Sequence, residues 1–184
     1  MNHLIFASFS KKMYYYSTMK KGILIFLVLI GFHLTNAQSY NLHPLYIYSF
    51  TRYVQWPDAY AQGDFEIMVL GDSPLIDELN KMAQVKKVGD RPIKVTKISN
   101  LAGFKKCNIL FLPSRKSGEL PDVLAKIANQ PTLLITEDPG LGVKGSNINF
   151  VLKDGKLAFE LNQSSFNKQG LKVSNELTRL AILI

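Results

Sequence analysis

A single α/β domain of three layers is what this sequence predicts: a mostly parallel sheet flanked by helices, with a C-terminal antiparallel hairpin at the edge. Three observations carry that expectation. Short apolar runs alternate with helix-like patterns from residue 41 to residue 136, the order that builds a parallel sheet covered by helices. Two alternating segments flank Asp154-Gly155, a dipeptide that tolerates the positive φ angles of a two-residue hairpin turn. No internal repeat, low-complexity tract or linker divides the chain, and its length suits one core.

Taken in order, Tyr46, Phe50 and Tyr53 recur at spacings of four and three, which predicts an aromatic-faced helix over 41–55 that Trp56-Pro57 closes. The apolar run Phe65–Leu70 is the first strand. Gly71-Asp72-Ser73-Pro74 then makes a turn in which Ser73 caps a helix and Pro74 takes its first position, and Leu75, Leu79 and Met82 define that helix's inner face. Strands are expected over 92–98, 107–112 and 132–136, with a helix over 117–129 between the last two. In the hairpin, Ile148, Phe150 and Leu152 alternate with Asn149, Val151 and Lys153, and Leu157, Phe159 and Leu161 repeat the period after the turn. Asn162 caps a short helix over 163–169, and Gly170 ends it in the left-handed conformation. Ser174 caps a closing helix with Leu177, Leu180 and Ala181 on one face. The chain finishes on Ile182-Leu183-Ile184 with no polar tail, so this segment is either buried or an apolar patch for a partner.

The amino terminus reads as a targeting segment. Lys20 and Lys21 precede an apolar run over 22–34, and Thr35-Asn36-Ala37 ends in the small residues that a signal peptidase requires. The run is short for a membrane span, and polar Gln38-Ser39 follows it. We therefore expect residues 1–37 to be an upstream extension and secretory signal peptide, with Met19 as the true start and cleavage after Ala37, and residues 38–184 to be the exported domain. Removing residues 1–37 takes away Lys11, Lys12, Lys20 and Lys21 and no acid, so the formal charge falls from +8 to +4. What remains is scattered among acids without a basic, aromatic stripe, which argues against nucleic acid as a partner.

Catalytic chemistry is poorly supplied. Gly140-Leu141-Gly142-Val143-Lys144-Gly145 matches the dinucleotide pattern letter for letter, but Ser146-Asn147 leads into a strand, not into the helix whose N-terminus would hold a pyrophosphate. We read it as a loop that repositions the chain. Beyond residue 37 only His43 remains, so neither a His/Cys metal cluster nor a histidine-dependent nucleophile can be assembled. Cys107 is the sole cysteine; it permits no internal disulfide and reads as a buried thiol. Asp72, Ser114 and Glu137 lie in loops that follow strands, where open α/β sheets bind ligands, although such residues also serve as caps and turn formers. Ser114-Arg115-Lys116-Ser117-Gly118 is either an anion-holding loop or a solvated one. Asn162-Gln163-Ser164 is a formal glycosylation sequon. This inventory predicts no catalytic group, no metal and no cofactor.

Several blocks, taken together and in order, resemble the YfiR family. They are Phe50-Thr51-Arg52-Tyr53-Val54-Gln55-Trp56-Pro57, Leu70-Gly71-Asp72-Ser73-Pro74, Val88-Gly89-Asp90-Arg91-Pro92-Ile93 and Cys107-Asn108-Ile109-Leu110-Phe111, followed by the 145–181 block with Asn149-Phe150, Phe159-Glu160-Leu161-Asn162 and Leu177. The resemblance covers nearly all of residues 41–184. It implies an exported, periplasmic, non-enzymatic protein with a compact α/β domain that represses a membrane-bound diguanylate cyclase by binding its periplasmic sensor region, restraining cyclic-di-GMP production and biofilm formation. It also implies self-association as a homodimer, while related domains serve other sensors such as histidine kinases. Family disulfide control does not carry over, since Cys107 has no partner cysteine.

Two functions follow as expectations. The first is a signalling regulator contacting its sensor through the Arg52 to Trp56 corner and the closing helix, with Arg52, Trp56, Leu180 and Leu183 as contact residues. Its structural residues are Phe50, Pro57, Gly71, Cys107, Gly145, Phe150, Phe159, Asn162 and Leu177. The second is a small-ligand-binding sensory domain whose loops carry Asp72, Ser114 and Glu137. An enzyme is the third and weakest reading.

Overall fold

The structure is a computed structural model that describes residues 40–184. The expected signal segment and start site lie outside these residues. An eight-stranded mixed sheet runs through the domain with helices on both faces, a three-layer α/β architecture as expected. Helix α1 (His43–Tyr53) leads into β1 (Val54–Gln55), and β2 (Phe65–Leu70) is followed by α2 (Leu75–Val85). Then come β3 (Lys87–Val88), β4 (Arg91–Ile98), β5 (Ile109–Leu112), α3 (Leu120–Lys126) and β6 (Leu133–Thr136). The closing block comprises β7 (Ile148–Lys153), β8 (Lys156–Leu161), α4 (Gln163–Lys168), β9 (Lys172–Val173), α5 (Asn175–Leu180) and β10 (Ile182–Leu183).

Strand order across the main sheet is β10-β8-β7-β6-β5-β2-β4-β3. The neighbours from β4 to β7 pair in parallel, whereas β7 with β8 and β3 with β4 are antiparallel hairpins. The β7–β8 turn has Asp154 at φ 52° and Gly155 at φ 72°, both residues left-handed, as a tight hairpin turn of the favoured twist requires. The hairpin lies near the end of the sheet, and parallel β10 adds one short strand outside it, with Ile182 opposite Glu160 and Leu183 opposite Leu161. A separate ribbon joins β1 to β9, pairing Val54 with Val173. It holds the end of α1 beside the start of α5, where Ser174 N donates to Tyr53 O.

Two cores sandwich the sheet. On one face Ile47 and Phe50 of α1, Leu75 and Leu79 of α2 and Leu177 of α5 pack over Phe65, Ile67, Phe111, Ile135, Phe150 and Phe159. Rings there stand at Phe50–Phe159 5.0 Å and Phe50–Phe150 6.0 Å, pairings worth ~0.5–1.5 kcal/mol each beyond their buried area. On the other face a thinner layer of Leu120, Val123, Ile127, Phe104 and Leu141 covers Met68, Leu70, Leu110, Leu112 and Leu134.

Several elements differ from expectation, each for a physical reason. The helix expected over 41–55 ends at Tyr53, because Val54 turns extended to pair with β9. Over 117–129 only Leu120–Lys126 is α-helical; a 3-10 turn (Ser114–Glu119) precedes it, and Pro121 begins the α-helix in the first turn, the only place a proline is tolerated. Met82 is half-buried, and Ser73 accepts from Leu75 N while the helix starts one residue later than Pro74. In β7 the alternation fails at both ends: Asn149 is fully buried and Leu152 is exposed near the hairpin tip, beyond the layers that cover the strand's start. Leu180 does not share the buried face of Leu177; it points outward. Lys87-Val88 forms an additional hairpin arm ahead of β4, through a Gly89-Asp90 turn.

Candidate functional site

Three regions hold the residues that the sequence singles out. The first lies at the amino-terminal end of β2 and β5, where Asn108 is a hub. Its Oδ1 accepts from Glu66 N at 3.0 Å and from Arg91 Nη2 at 3.3 Å, its Nδ2 donates to Tyr60 O at 3.1 Å, and its carbonyl accepts from Trp56 Nε1 at 3.0 Å. Trp56 also stands edge-on to Phe65 at 5.2 Å, and the Arg91 guanidinium lies 5.3 Å over the same ring. Three separated sequence blocks therefore meet here in a packing role. Arg52 and Pro57 are exposed beside it, and Phe50 is fully buried. Cys107 is buried too; burial pushes its thiol up to about 12, so the nucleophilic thiolate is suppressed.

The second region is the carboxyl edge. The chain leaves β2 for β4 on one side and then returns to β5 on the other, creating a crevice between the ends of β2 and β5 of the kind that binds ligands in open α/β sheets. A cleft of about 410 Å³ opens there, lined by Asp72, Ser73, Pro74, Asp77, Lys97 and Arg115. Asp72 pairs with Lys97 at 2.7 Å, and this bond holds its carboxyl below the usual range. Gly71, at φ 82°, turns the chain beneath the Lys116 side chain; a Cβ would meet Lys116 Cε at 3.0 Å. Glu137 sits apart from Asp72, accepting from Ser114 N at 2.9 Å and from the Tyr40 hydroxyl at 3.0 Å. Burial raises the Glu137 pKa, and burial followed by the adjacent Glu137 charge raises that of Tyr40 to about 12. Ser114 and Glu137 are thus joined, whereas the Asp72 side chain is 85 % exposed and turned to Lys97. The two carboxylates are thus held by different partners.

The third region is the sheet end around β10. Leu180, Leu183 and Ile184 are 68 %, 54 % and 41 % exposed, so the closing segment is an apolar edge and not a buried tail. A buried polar seam supports it. Thr136 Oγ1 bonds Ser146 Oγ at 2.9 Å and Asn149 Oδ1 at 2.7 Å, and Asn149 Nδ2 donates to Glu160 Oε2 at 2.8 Å. Asn162 caps α4 through Ser165 N and donates from Nδ2 to Gly142 O at 2.9 Å, which occupies both ends of the amide and buries the acceptor side chain of the sequon, while Gln163 and Ser164 stay exposed. Gly142 lies close beneath the ends of two side chains: a Cβ there would stand 2.5 Å from Ile184 Cδ1 and 2.6 Å from Glu160 Oε2, so both would have to shift to admit one. The glycine loop 140–145 thereby cradles the closing segment and enters β7 directly, as the rejection of a dinucleotide site requires. Exposed Val143 follows Gly142 in the loop, and Gly145 has φ 120°, where a Cβ would stand 3.1 Å from Leu124 Cδ1. Sequence reasoning missed Tyr40 and Lys97, because each acts through a tertiary neighbour distant in the chain, Glu137 and Asp72 respectively.

Among the described residues, no group of three or more His, Cys, Asp or Glu could hold a metal ion, and no helix is long and apolar enough to cross a membrane. No curated protein matches the chain. A family model described as YfiR/HmsC-like does match, over residues 40–182, which takes in the Asn108 hub, the carboxyl-edge crevice and all but the last two residues of the apolar edge. The chain therefore belongs to the YfiR/HmsC-like family, a family of periplasmic regulatory proteins.

Proposed function

We propose that this protein is an exported regulator that binds the periplasmic region of a membrane sensor, a diguanylate cyclase, and represses its output. Within a regulatory family, the observation that carries this reading is the apolar edge formed by Leu180, Leu183 and Ile184. The outer side of β10 ends the sheet, so a partner segment can add a strand there, with backbone bonds supplying affinity and Leu183 filling an apolar pocket. Repression requires that the edge bind one state of the sensor better than the other, since equal affinity shifts nothing. Arg52, exposed on α1 near the ribbon that leads to α5, supplies a charged rim contact. A second copy of the chain competes for the same edge when the protein is a homodimer.

Capture from envelope extracts tests this reading. The wild-type protein is expected to recover an inner-membrane sensor, and its deletion to raise cyclic-di-GMP. Leu183→Asp is expected to abolish recovery while changing stability by no more than about 0.5 kcal/mol, as for other exposed positions. Recovery of no sensor, together with unchanged cyclic-di-GMP and kinase output in the deletion strain, would sink the idea. The same reading takes residues 20–37 as a removed export signal, and a mature chain beginning at Gln38 is its expected mass-spectrometric signature.

A second reading is favoured by the cleft between β2 and β5: a ligand-binding sensory domain acting with a histidine kinase or another envelope receptor. Arg115 supplies a cation there that makes no ion pair among the described residues, Lys97 being held by Asp72, and Ser73 lines the same cleft. An anionic ligand that raises the melting temperature of the wild-type protein but not of Arg115→Ala supports it.

A further inference from the structure

Helix α1 turns an apolar side to water, where a surface helix ordinarily presents charged and polar side chains. Its inner side carries His43, Pro44, Ile47, Phe50 and Thr51, all buried. Opposite them, at helical spacing, stand Leu42, Leu45, Ser49 and Arg52, flanked by half-buried Tyr48 on one side and by Tyr46 and Tyr53 on the other. Leu45 is 63 % exposed, and Arg52 is the only Lys, Arg, Asp or Glu in the helix. The tyrosine hydroxyls add little polarity, since Tyr46 donates to Leu157 O and Tyr48 to Lys87 O, both at 3.2 Å.

The face continues across the end of α2. Val85 there is 77 % exposed, and the Lys86 ammonium lies 5.6 Å over the Tyr48 ring. Tyr48 thereby joins the exposed leucines to the segment carrying Lys86 and Lys87 and, four residues on along the helix, to Arg52. Arg52, Lys86 and Lys87 make no ion pair among the described residues, and α1 holds no carboxylate to offset them.

We propose that this face of α1, with the end of α2, seats the exported domain on an anionic phospholipid bilayer. Leu42, Leu45 and Val85 enter the boundary of the acyl layer, Tyr48 lies at headgroup level, and the three cations meet lipid phosphates. Two observations favour a bilayer over another protein. The cations are unpaired beside exposed apolar side chains, which is the charge complement of an anionic lipid surface. On the export reading, the apolar run over 22–34 enters the membrane first, and residues 35–42 span no more than about 30 Å of extended chain, so α1 is the first element of the domain to reach the surface. The face uses other residues than the β10 edge. Holding the domain where a membrane sensor emerges raises its effective concentration there, a consequence that rests on the sensor reading, whereas the lipid contact does not.

The test is flotation of residues 38–184, which contain both cores but not the apolar run, with vesicles of phosphatidylethanolamine and phosphatidylglycerol or of phosphatidylcholine alone. The anionic vesicles are expected to carry the protein up the gradient, and the neutral ones to bind at least tenfold more weakly. Leu45→Asp, an exposed change, is expected to weaken anionic-vesicle binding tenfold or more without lowering the melting temperature. Lys86→Gln with Lys87→Gln is expected to weaken it about 25-fold, since one cation near an anionic surface contributes about fivefold. Leu183→Asp should leave vesicle binding unchanged, so the fate of the sensor reading is decided separately. In NMR spectra of the labelled protein, a lipid with a paramagnetic headgroup should broaden the amides of Leu45, Tyr48 and Val85 and spare Leu183. The proposal is overturned by no binding to the anionic vesicles, by equal binding to the neutral ones, by broadening at Leu183 in place of Leu45, or by a dimer that Leu45→Asp converts to monomer.

Discussion

Replacing Asn149 by alanine is the most direct trial of the view that a buried polar seam, and not apolar packing alone, positions the sheet end. Asn149 is fully buried, its Oδ1 accepts from the Thr136 hydroxyl at 2.7 Å, and its Nδ2 donates to the Glu160 carboxylate at 2.8 Å. A hydrogen bond to a charged group contributes about 1.5–3 kcal/mol and a neutral one about 0.5–1.5 kcal/mol. Thr136 Oγ1 keeps its bond to Ser146, which limits the loss on that side. The expected destabilisation is therefore roughly 2–4 kcal/mol, and with a urea slope of about 2 kcal/mol per molar the unfolding midpoint falls by roughly 1–2 M. A double-mutant cycle with Glu160→Ala should return a coupling of about 1 kcal/mol or more, because the two side chains are direct partners. Glu160 also stands opposite Ile182, and Ile184 N donates to Leu161 O, so amide exchange at Ile184 should accelerate in the variant. A midpoint shift below about 0.3 M, additive single changes, or unchanged exchange at Ile184 would refute the reasoning.

Further outcomes follow from the other two regions. Glu137 has a raised folded-state pKa, so the native state holds its proton more tightly than the unfolded chain; stability falls as pH rises from the ordinary glutamate range through the raised value and stays lowered above it. Glu137→Gln, which can still accept from Ser114 N and Tyr40, should accordingly melt higher than wild type near neutral pH, and the gap should close in acid below the unfolded pKa. Trp56→Phe removes the Nε1 bond to Asn108 O, but that carbonyl still accepts from Leu133 N, so chemical denaturation should register a loss of only about 1 kcal/mol. Cys107, buried with its thiol held at about 12, should resist a thiol reagent in the native protein and react at the rate of unfolding, as followed by mass spectrometry.

Legibility differed between elements for physical reasons. Strand β2 and the hairpin turn were readable to the residue, because an uninterrupted apolar run and an Asp-Gly pair are local signals that no tertiary contact contradicts. The caps at Asn162 and Ser174 were equally local, each accepting from a backbone amide three positions on. Helix α3 was overextended, since the pattern over 117–129 did not reveal where the 3-10 turn gives way. Leu180 shows the limit of periodicity on a six-residue helix, where one residue past the packed turn already faces solvent. At the carboxyl edge, sequence placed Asp72, Ser114 and Glu137 after strands, yet it could not tell that Glu137 bonds Ser114 while Asp72 turns to Lys97.

Local chemistry in the chain determined the layer architecture, most strands, the turns and caps, the burial of Cys107 and the family resemblance, since each follows from spacing, backbone preference or short blocks in order. Tertiary structure alone decided that Trp56, Arg91 and Asn108 converge, that Asn149 and Asn162 are consumed inside, and that Leu183 and Ile184 stay outside. Those outcomes depend on which strand lies next to which. A side chain's partners across a sheet are set by register and crossover between segments distant in the chain, as Val54 and Val173 are, and hydrophobic periodicity carries no information about either.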